Sequence, residues 1–314
     1  MRAGERSALA LAVGFALDRG LGDPAHGHPV AGFGRLAAAL ERCTWRARRR
    51  AGIAHVGLLL VASAWIGRRA DPSPAASALV VWVALGGRSL ERAALTMAEL
   101  LRAGDLPAAR AHAPVLVGRD PRELDAHELC RATIESVAEN TADALVGALL
   151  WGALAGAPGV AVYRAANTLD AMIGHRGPRY ERFGWAAARV DDLLTWPAAR
   201  LTALLTVLIA PLARADARQA LRIMRRDGAR HPSPNAGPIE AAFAGALGVR
   251  LGGTNRYPTH TEQRPLLGDG PAPGTEDIAR AVLLSSFIGR ASVLACALLA
   301  LARARASATG GPRR

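Results

Sequence analysis

Ala144-Leu145-Val146-Gly147-Ala148-Leu149-Leu150-Trp151-Gly152-Ala153-Leu154-Ala155-Gly156-Ala157-Pro158-Gly159-Val160-Ala161-Val162-Tyr163 decides how this chain is read. The run carries no charge and matches the ~20 apolar residues a helix needs to cross a hydrocarbon layer about 30 Å thick. Its interruption at Gly156-Ala157-Pro158-Gly159 allows two forms, one kinked span or a re-entrant pair of half-helices, because irregular backbone at membrane depth is tolerated where protein buries it. A single span places segments 88–142 and 164–191 on opposite faces of a bilayer. A re-entrant pair returns the chain to the face it left.

Working outward, further apolar blocks lie at 7–17, 51–66, 75–87, 192–213 and 281–302. Asp71-Pro72-Ser73-Pro74 is a strong turn signal, so 51–87 reads as a helical hairpin. The chain has 314 residues, 51% of them hydrophobic but only 4% aromatic. Its apolar mass is Ala, Leu, Val and Gly, residues that let membrane helices approach closely. The expectation is an all-α, polytopic integral membrane bundle of about four to six membrane segments, a single membrane-embedded domain over 1–314. Its polar segments are 18–50, 88–143, 164–191 and 214–280, both helical and irregular, with a disordered tail at 304–314. Helices are expected over 88–113 and 122–147, and an irregular loop over 252–277, which is dense in Gly and Pro.

The formal net charge is +13, with no lysine in the sequence. Arginines cluster beside apolar blocks, as in Arg46-Ala47-Arg48-Arg49-Arg50 before 51–66. That placement is the positive flank of a membrane helix and sets nucleic acid aside as a partner. Cys43, Cys130 and Cys296 are odd in number and widely spaced, forming neither a disulfide framework nor a metal motif. Arg2 and Arg6 before the block 7–17 resemble a signal peptide, but no small-x-small cleavage site precedes Asp18-Arg19, so an uncleaved first segment is expected.

Thr133-Ile134-Glu135-Ser136-Val137-Ala138-Glu139-Asn140-Thr141-Ala142-Asp143 leads directly into the opening run. At about 100° per residue Glu135, Glu139 and Asp143 share a helix face, with Asn140 beside them. Carboxylates four apart repel, and a cation relieves that repulsion. Magnesium with a phosphate substrate suits one or two carboxylates plus phosphate oxygens. The plainer alternative is a solvated face with Arg131 pairing Glu135. Asn167-Thr168-Leu169-Asp170, followed by Gly174-His175-Arg176-Gly177, forms a second polar group at the edge of an apolar block, where polar residues are costly and tend to be functional. It equally fits a helix C-terminus, with His175 and Arg176 complementing the dipole. Arg189, Asp191 and Asp192 precede the next block, as interfacial charges do. Two proline-stiffened loops complete the set: Gly22-Asp23-Pro24-Ala25-His26-Gly27-His28-Pro29-Val30 and His231-Pro232-Ser233-Pro234-Asn235-Ala236-Gly237-Pro238. Fixed backbone around polar side chains lowers the entropy lost on gripping a ligand. Without lysine there is neither a Walker-type phosphate loop nor a Schiff base, and no Gly-x-Ser-x-Gly or His-Glu-x-x-His motif occurs. No bound zinc or haem is expected.

These motifs together resemble the CobD/CbiB family of cobalamin-biosynthesis proteins. The resemblance runs through Leu17-Asp18-Arg19-Gly20-Leu21-Gly22-Asp23-Pro24, Val117-Gly118-Arg119-Asp120, Arg131 to Asn140, Asn167 to Gly174, Arg189-Val190-Asp191-Asp192 and His231 to Gly237, covering nearly the whole chain. It implies a multi-pass enzyme of the cell (inner) membrane with a cytoplasmic active site, an acid–amine ligase of the adenosylcobinamide-phosphate synthase type. The implied reaction joins the propionate carboxylate of adenosylcobyric acid to (R)-1-amino-2-propanol or its O-phosphate, at the expense of ATP. On that reading Glu135, Glu139, Asp143 and Asp170 hold Mg²⁺. Arg119 and Arg131 hold phosphate oxygens, a task suited to the guanidinium fork. Asn167, Asn235, Asp191 and Asp192 contact substrate, Glu135, Glu139 and Asn140 take part in catalysis, and His28 or His231 acts as base toward the amine. A transporter, or a membrane scaffold that docks other cobalamin-pathway enzymes, would use the same apolar blocks and broken helix.

Overall fold

The computed structural model describes residues 1–24, 27–175, 177–256 and 261–309. His26 and Arg176 of the motifs above, with the end of the tail from 310, lie outside the described residues. The chain is almost wholly helical, as expected. The helices are α1 (Ala3–Leu21), α2 (Pro29–Thr44), α3 (Arg49–Ala70), α4 (Pro74–Ala84), α5 (Gly87–Arg102), α6 (Leu106–His112), α7 (Ala126–Thr141), α8 (Gly147–Leu169), α9 (Trp185–Ile209), α10 (Ala217–Asp227), α11 (Ala236–Leu247) and α12 (Thr275–Thr309). Strands β1 (Leu251–Arg256) and β2 (Thr261–Leu267) pair antiparallel between α11 and α12. Four helical stretches are long and apolar enough to cross a membrane: Arg49–Ala70, Ala126–Gly174, Trp185–Ala213 and Thr275–Ala306. Large apolar side chains stay exposed along them, among them Val61 and Trp65 on α3, Leu204 and Leu208 on α9, and Leu294 and Leu298 on α12. Such faces need lipid.

Two compact units share the chain. One comprises Met1–Gly86, Asp143–Pro197 and Ser292–Arg314; the other comprises Gly87–Ala142 and Ala198–Ala291. They are called the first and second unit below.

In the first unit, the opening run folds back on itself. Gly156 has φ 64° and ψ −156°, a conformation essentially reserved for glycine, and Pro158 cannot continue the hydrogen-bond ladder of the incoming half. Beyond the turn, Tyr163 lies against Gly147 and Gly159 against the Trp151 carbonyl. A straight helix would hold residues 147 and 163 roughly 24 Å apart at 1.5 Å per residue. The halves on either side of Gly156 therefore pack against each other as a helical hairpin. The backbone N–H of Ala157, freed by the break, is capped by Asp71 Oδ1 at 3.1 Å, from the turn between α3 and α4. At the other end Leu169, Ile173 and Phe183 pack with Val56 and Leu59 in a buried core. The 51–87 hairpin is present as α3 and α4, with Ser73 capping α4 through Ala76 N–H.

In the second unit, α7 starts with a reciprocal capping box between Asp125 and Glu128 and is buried from Leu129 to Ala138 apart from Arg131. The helix α11 is buried on almost every side, which suits its Gly- and Ala-rich sequence. Two expectations are corrected. The segment 252–277 is not simply a loop, because β1 and β2 form a hairpin with a register shift between Leu251 and Gly253. Gly252 and Gly253, at φ 82° and 94°, make that irregularity, and they conceal the strand in a residue count. The tail is helical as far as Thr309, since its alternating Ala and Arg are strong helix formers.

Candidate functional site

Glu135 is a buried, well-connected acid of the second unit. It is 2% exposed and accepts from Arg119, from Arg131 Nη1 at 3.3 Å and from the Gly252 N–H at 2.8 Å. Arg131, one turn earlier on α7, also donates to the Gly252 and Thr254 carbonyls at 2.6 and 2.8 Å and to Asn255 Oδ1 at 3.0 Å. Its guanidinium therefore ties β1 to α7. Arg119 Nη2 is bound by Glu135, while its Nη1 is buried and has no hydrogen-bond partner. Asn140 turns back along its own helix, donating to Ser136 O at 2.9 Å.

The His231-Pro232-Ser233-Pro234-Asn235 loop brings further groups to the same unit. Asp227, fully buried, accepts from Arg226, from Arg230 and from the Gly268 N–H at 3.0 Å, anchoring the start of this loop to the end of β2. The Arg226 guanidinium holds its carboxyl down at about 2. Ser233 Oγ accepts from the Asn235 and Ala236 N–H groups at the head of α11, and Arg200 Nη1 donates to Asn235 Oδ1 at 3.0 Å. His231 Nε2 lies 3.7 Å from Glu240 Oε1, and Arg264 Nη1 approaches the same oxygen at 3.9 Å. Burial, and then Arg264, push the His231 imidazole below its usual range. Burial first, and then Glu139 and Glu135, push Glu240 well above the ordinary carboxyl range, and both of its carboxyl oxygens are buried without a hydrogen-bond partner.

The first unit holds a separate acidic group. Because α8 folds back, Asn167 Nδ2 comes within 3.4 Å of Asp143 Oδ2; along a straight helix they would be roughly 36 Å apart. Asn167 also hydrogen-bonds Asp191, which lies in electrostatic range of Asp143, Asp170 and Asp192, and Arg164 Nη1 donates to Asn167 Oδ1 at 3.2 Å. Asp143 and Asp170 each sit in a π turn, Ala142–Val146 and Asp170–Gly174, a backbone form frequent at functional sites. Asp192 faces Arg189 at 3.7 Å. His28 caps α2, its Nδ1 accepting the Val30 N–H at 3.2 Å, and its Nε2 lies 3.9 Å from Asp23 Oδ1.

Of the four carboxylates, Glu135 and Glu139 belong to one unit, and Asp143 and Asp170 to the other. A π turn begins at Ala142, just before Asp143. Among the described residues no group of three or more His, Cys, Asp or Glu side chains has the geometry to hold a metal ion by itself. Sequence reasoning missed Glu240, Asn255, Asp227 and Arg164. Glu240 left a signal, since it is the one charge in the otherwise apolar run Gly237–Leu247. Asn255 left none.

Four membrane-length helical stretches, with buried arginine–carboxylate and asparagine–aspartate groups between them in sequence, define a polytopic helical membrane protein. The family model described as CobD/Cbib protein matches residues 11–285. The chain is 52% identical over 299 residues to the cobalamin biosynthesis protein CobD of Mycobacterium tuberculosis, covering 93% of this chain and 96% of that one. It is 46% identical over 292 residues to the protein of the same name from Chromobacterium violaceum (88% and 92% covered), and 42% identical over 292 residues to that of Rhodobacter capsulatus (88% and 91% covered). This chain belongs to the CobD/CbiB family. No solved structure matches it.

Proposed function

We propose that the chain acts in cobalamin biosynthesis as an ATP-dependent amide ligase of the inner membrane, joining the propionate carboxylate of adenosylcobyric acid to 1-amino-2-propanol or its phosphate on the cytoplasmic side. Family membership supports the pathway. The observation that carries the chemistry is the Asp143–Asn167–Asp191 group at the foot of the α8 hairpin. An ionised carboxylate is a poor acyl donor, because its charge repels the amine and oxide does not leave. Phosphoryl transfer from ATP converts that oxygen into a phosphate leaving group. The free amine then attacks the acyl carbon, phosphate departs with the former carboxylate oxygen, and the nitrogen gives up one proton and keeps the other as the amide N–H.

Asp143, Asp170 and Asp191 fit Mg²⁺ by donor chemistry. All are hard oxygen donors, Asp191 Oδ1 is buried without a hydrogen-bond partner, and Mg²⁺ needs only one or two carboxylates when water and phosphate oxygens complete its shell. When bound there, the ion would neutralise phosphate charge. Asn167 fixes Asp143 and Asp191 in place, and Arg164 fixes Asn167. In the second unit Glu135 holds Arg119 and Arg131, leaving Arg119 Nη1 for an anionic oxygen.

The break at Gly156 is the observation that favours a transporter, since broken helices shape many transport sites. Purified protein in detergent, supplied with ATP, Mg²⁺, adenosylcobyric acid and aminopropanol phosphate, separates the two. Formation of adenosylcobinamide phosphate is expected. Tight corrinoid binding without product would leave the transporter or scaffold reading standing instead.

A further inference from the structure

His231 invites the role of base, and its hydrogen bonds argue otherwise. The Ser233 N–H points at Nδ1 from 3.0 Å. Nδ1 also lies 3.3 Å from the Ser233 carbonyl, but the N–H contact is the shorter and a backbone N–H can only donate, which favours Nδ1 as acceptor and the proton on Nε2, 3.7 Å from Glu240 Oε1. Burial keeps the ring neutral. The nitrogen that could take a proton from an amine is therefore already occupied, and the one left over, Nε2, is a donor. It is buried, its side chain 1% exposed, and it has no hydrogen-bond partner.

Two more donors in this unit share that condition. Asn255 Oδ1 accepts from Arg131 at 3.0 Å, which fixes the amide orientation and leaves Nδ2 buried and unpartnered. Arg119 Nη2 is taken by Glu135, and Nη1 is likewise buried and unpartnered. Arg119 and Asn255 are linked through Glu135 and Arg131, and His231 lies in electrostatic range of Glu135, Glu139 and Arg264. Buried N–H groups without acceptors are costly unless a ligand supplies them. A ligand rich in acceptor oxygens and bearing no protons of its own at the contact, a phosphate group, satisfies several at once.

We infer that His231 is a fixed hydrogen-bond donor, and that its Nε2–H joins Arg119 Nη1 and Asn255 Nδ2 in binding a phosphate-class oxyanion in the second unit. His28 repeats the device in the first unit, with Nδ1 held by the Val30 N–H and Nε2 turned toward Asp23. The inference rests on the amide-forming reading only for why a phosphate should be there, and it is tested without turnover.

Inorganic phosphate is titrated onto the purified full-length protein in detergent, with acetate as a second probe to distinguish a carboxylate source. H231Q, whose amide places an N–H near the Nε2 position, is expected to bind phosphate within about threefold of the unaltered protein, whereas H231A and N255A weaken it about tenfold or more. Nitrogen NMR of the ring provides a readout that does not depend on a variant folding, and an Nε2-protonated neutral imidazole at pH 7 is expected. An Nδ1-protonated ring or an imidazolium at that pH overturns the inference. So do H231A binding phosphate as well as the unaltered protein, H231Q binding as weakly as H231A, or acetate binding as tightly as phosphate. If those results go as expected while no amide forms, the ligase reading fails and the anion site stands.

Discussion

Replacing Glu135 with alanine removes the acceptor that Arg119, Arg131 and the Gly252 N–H share. Arg131 keeps its carbonyl and Asn255 partners, so the uncompensated charge falls mainly on Arg119, which is 9% exposed. Breaking a buried ion pair by deleting one partner costs about 3–5 kcal/mol, because the remaining charge stays buried. The orphaned Gly252 N–H adds about 1 kcal/mol or more. For a unit of this size each kcal/mol moves the midpoint about 2–4 °C, so E135A is expected to melt roughly 10 °C or more below the unaltered protein in the same detergent. D120A is the control. Asp120 pairs with Arg122 at the surface, and exposed pairs contribute little, so its melting point should hold within about 1 °C. Differential scanning of the two proteins side by side decides the matter. Equal melting points for E135A and the unaltered protein would refute the view that Glu135 is the electrostatic anchor of the second unit.

Other consequences follow from single contacts. G156V forces a β-branched side chain into a glycine-only conformation and against Asp71 Oδ1, at a cost of about 1–3 kcal/mol in strain alone; a melting point unchanged from the unaltered protein would contradict the fold-back. D71A leaves the Ala157 N–H uncapped and should cost about 1 kcal/mol in the same scan, as lost helix caps do. Burial raises the Glu240 carboxyl in the folded state, so stability declines as pH rises above the ordinary glutamate range, a decline that E240Q should flatten. Asp227 behaves oppositely, its depressed value of about 2 giving stability that is full above about pH 4 and lost toward pH 2, a slope D227N should lack.

Much of the fold is legible in the residues themselves. Apolar blocks between arginine flanks mark the membrane helices, Asp71-Pro72-Ser73-Pro74 marks the α3–α4 hairpin, and the polar signatures name most residues of both clusters. What stays hidden is non-local. Gly156 and Pro158 announce a break but not its angle, and only the contacts of Tyr163 with Gly147 show the chain returning. That return brings Asn167 to Asp143, a pairing no spacing rule predicts. The β1–β2 hairpin escapes notice because Gly252, Gly253 and Pro265 read as loop composition. Periodicity places Asp143 with Glu135 and Glu139, but does not announce the π turn that begins at Ala142. The imidazole roles depend on one backbone N–H, that of Ser233, whose direction a sequence does not record.

The central claim, that a corrin carboxylate is activated by phosphoryl transfer and then captured by an amine, is tested most directly with oxygen-labelled substrate. Adenosylcobyric acid carrying ¹⁸O in its free carboxylate is incubated with the purified protein, ATP, Mg²⁺ and aminopropanol phosphate, and the released inorganic phosphate is examined by mass spectrometry. One ¹⁸O per amide formed should appear in that phosphate. Amide formation with unlabelled phosphate, or without any need for ATP, would contradict the account.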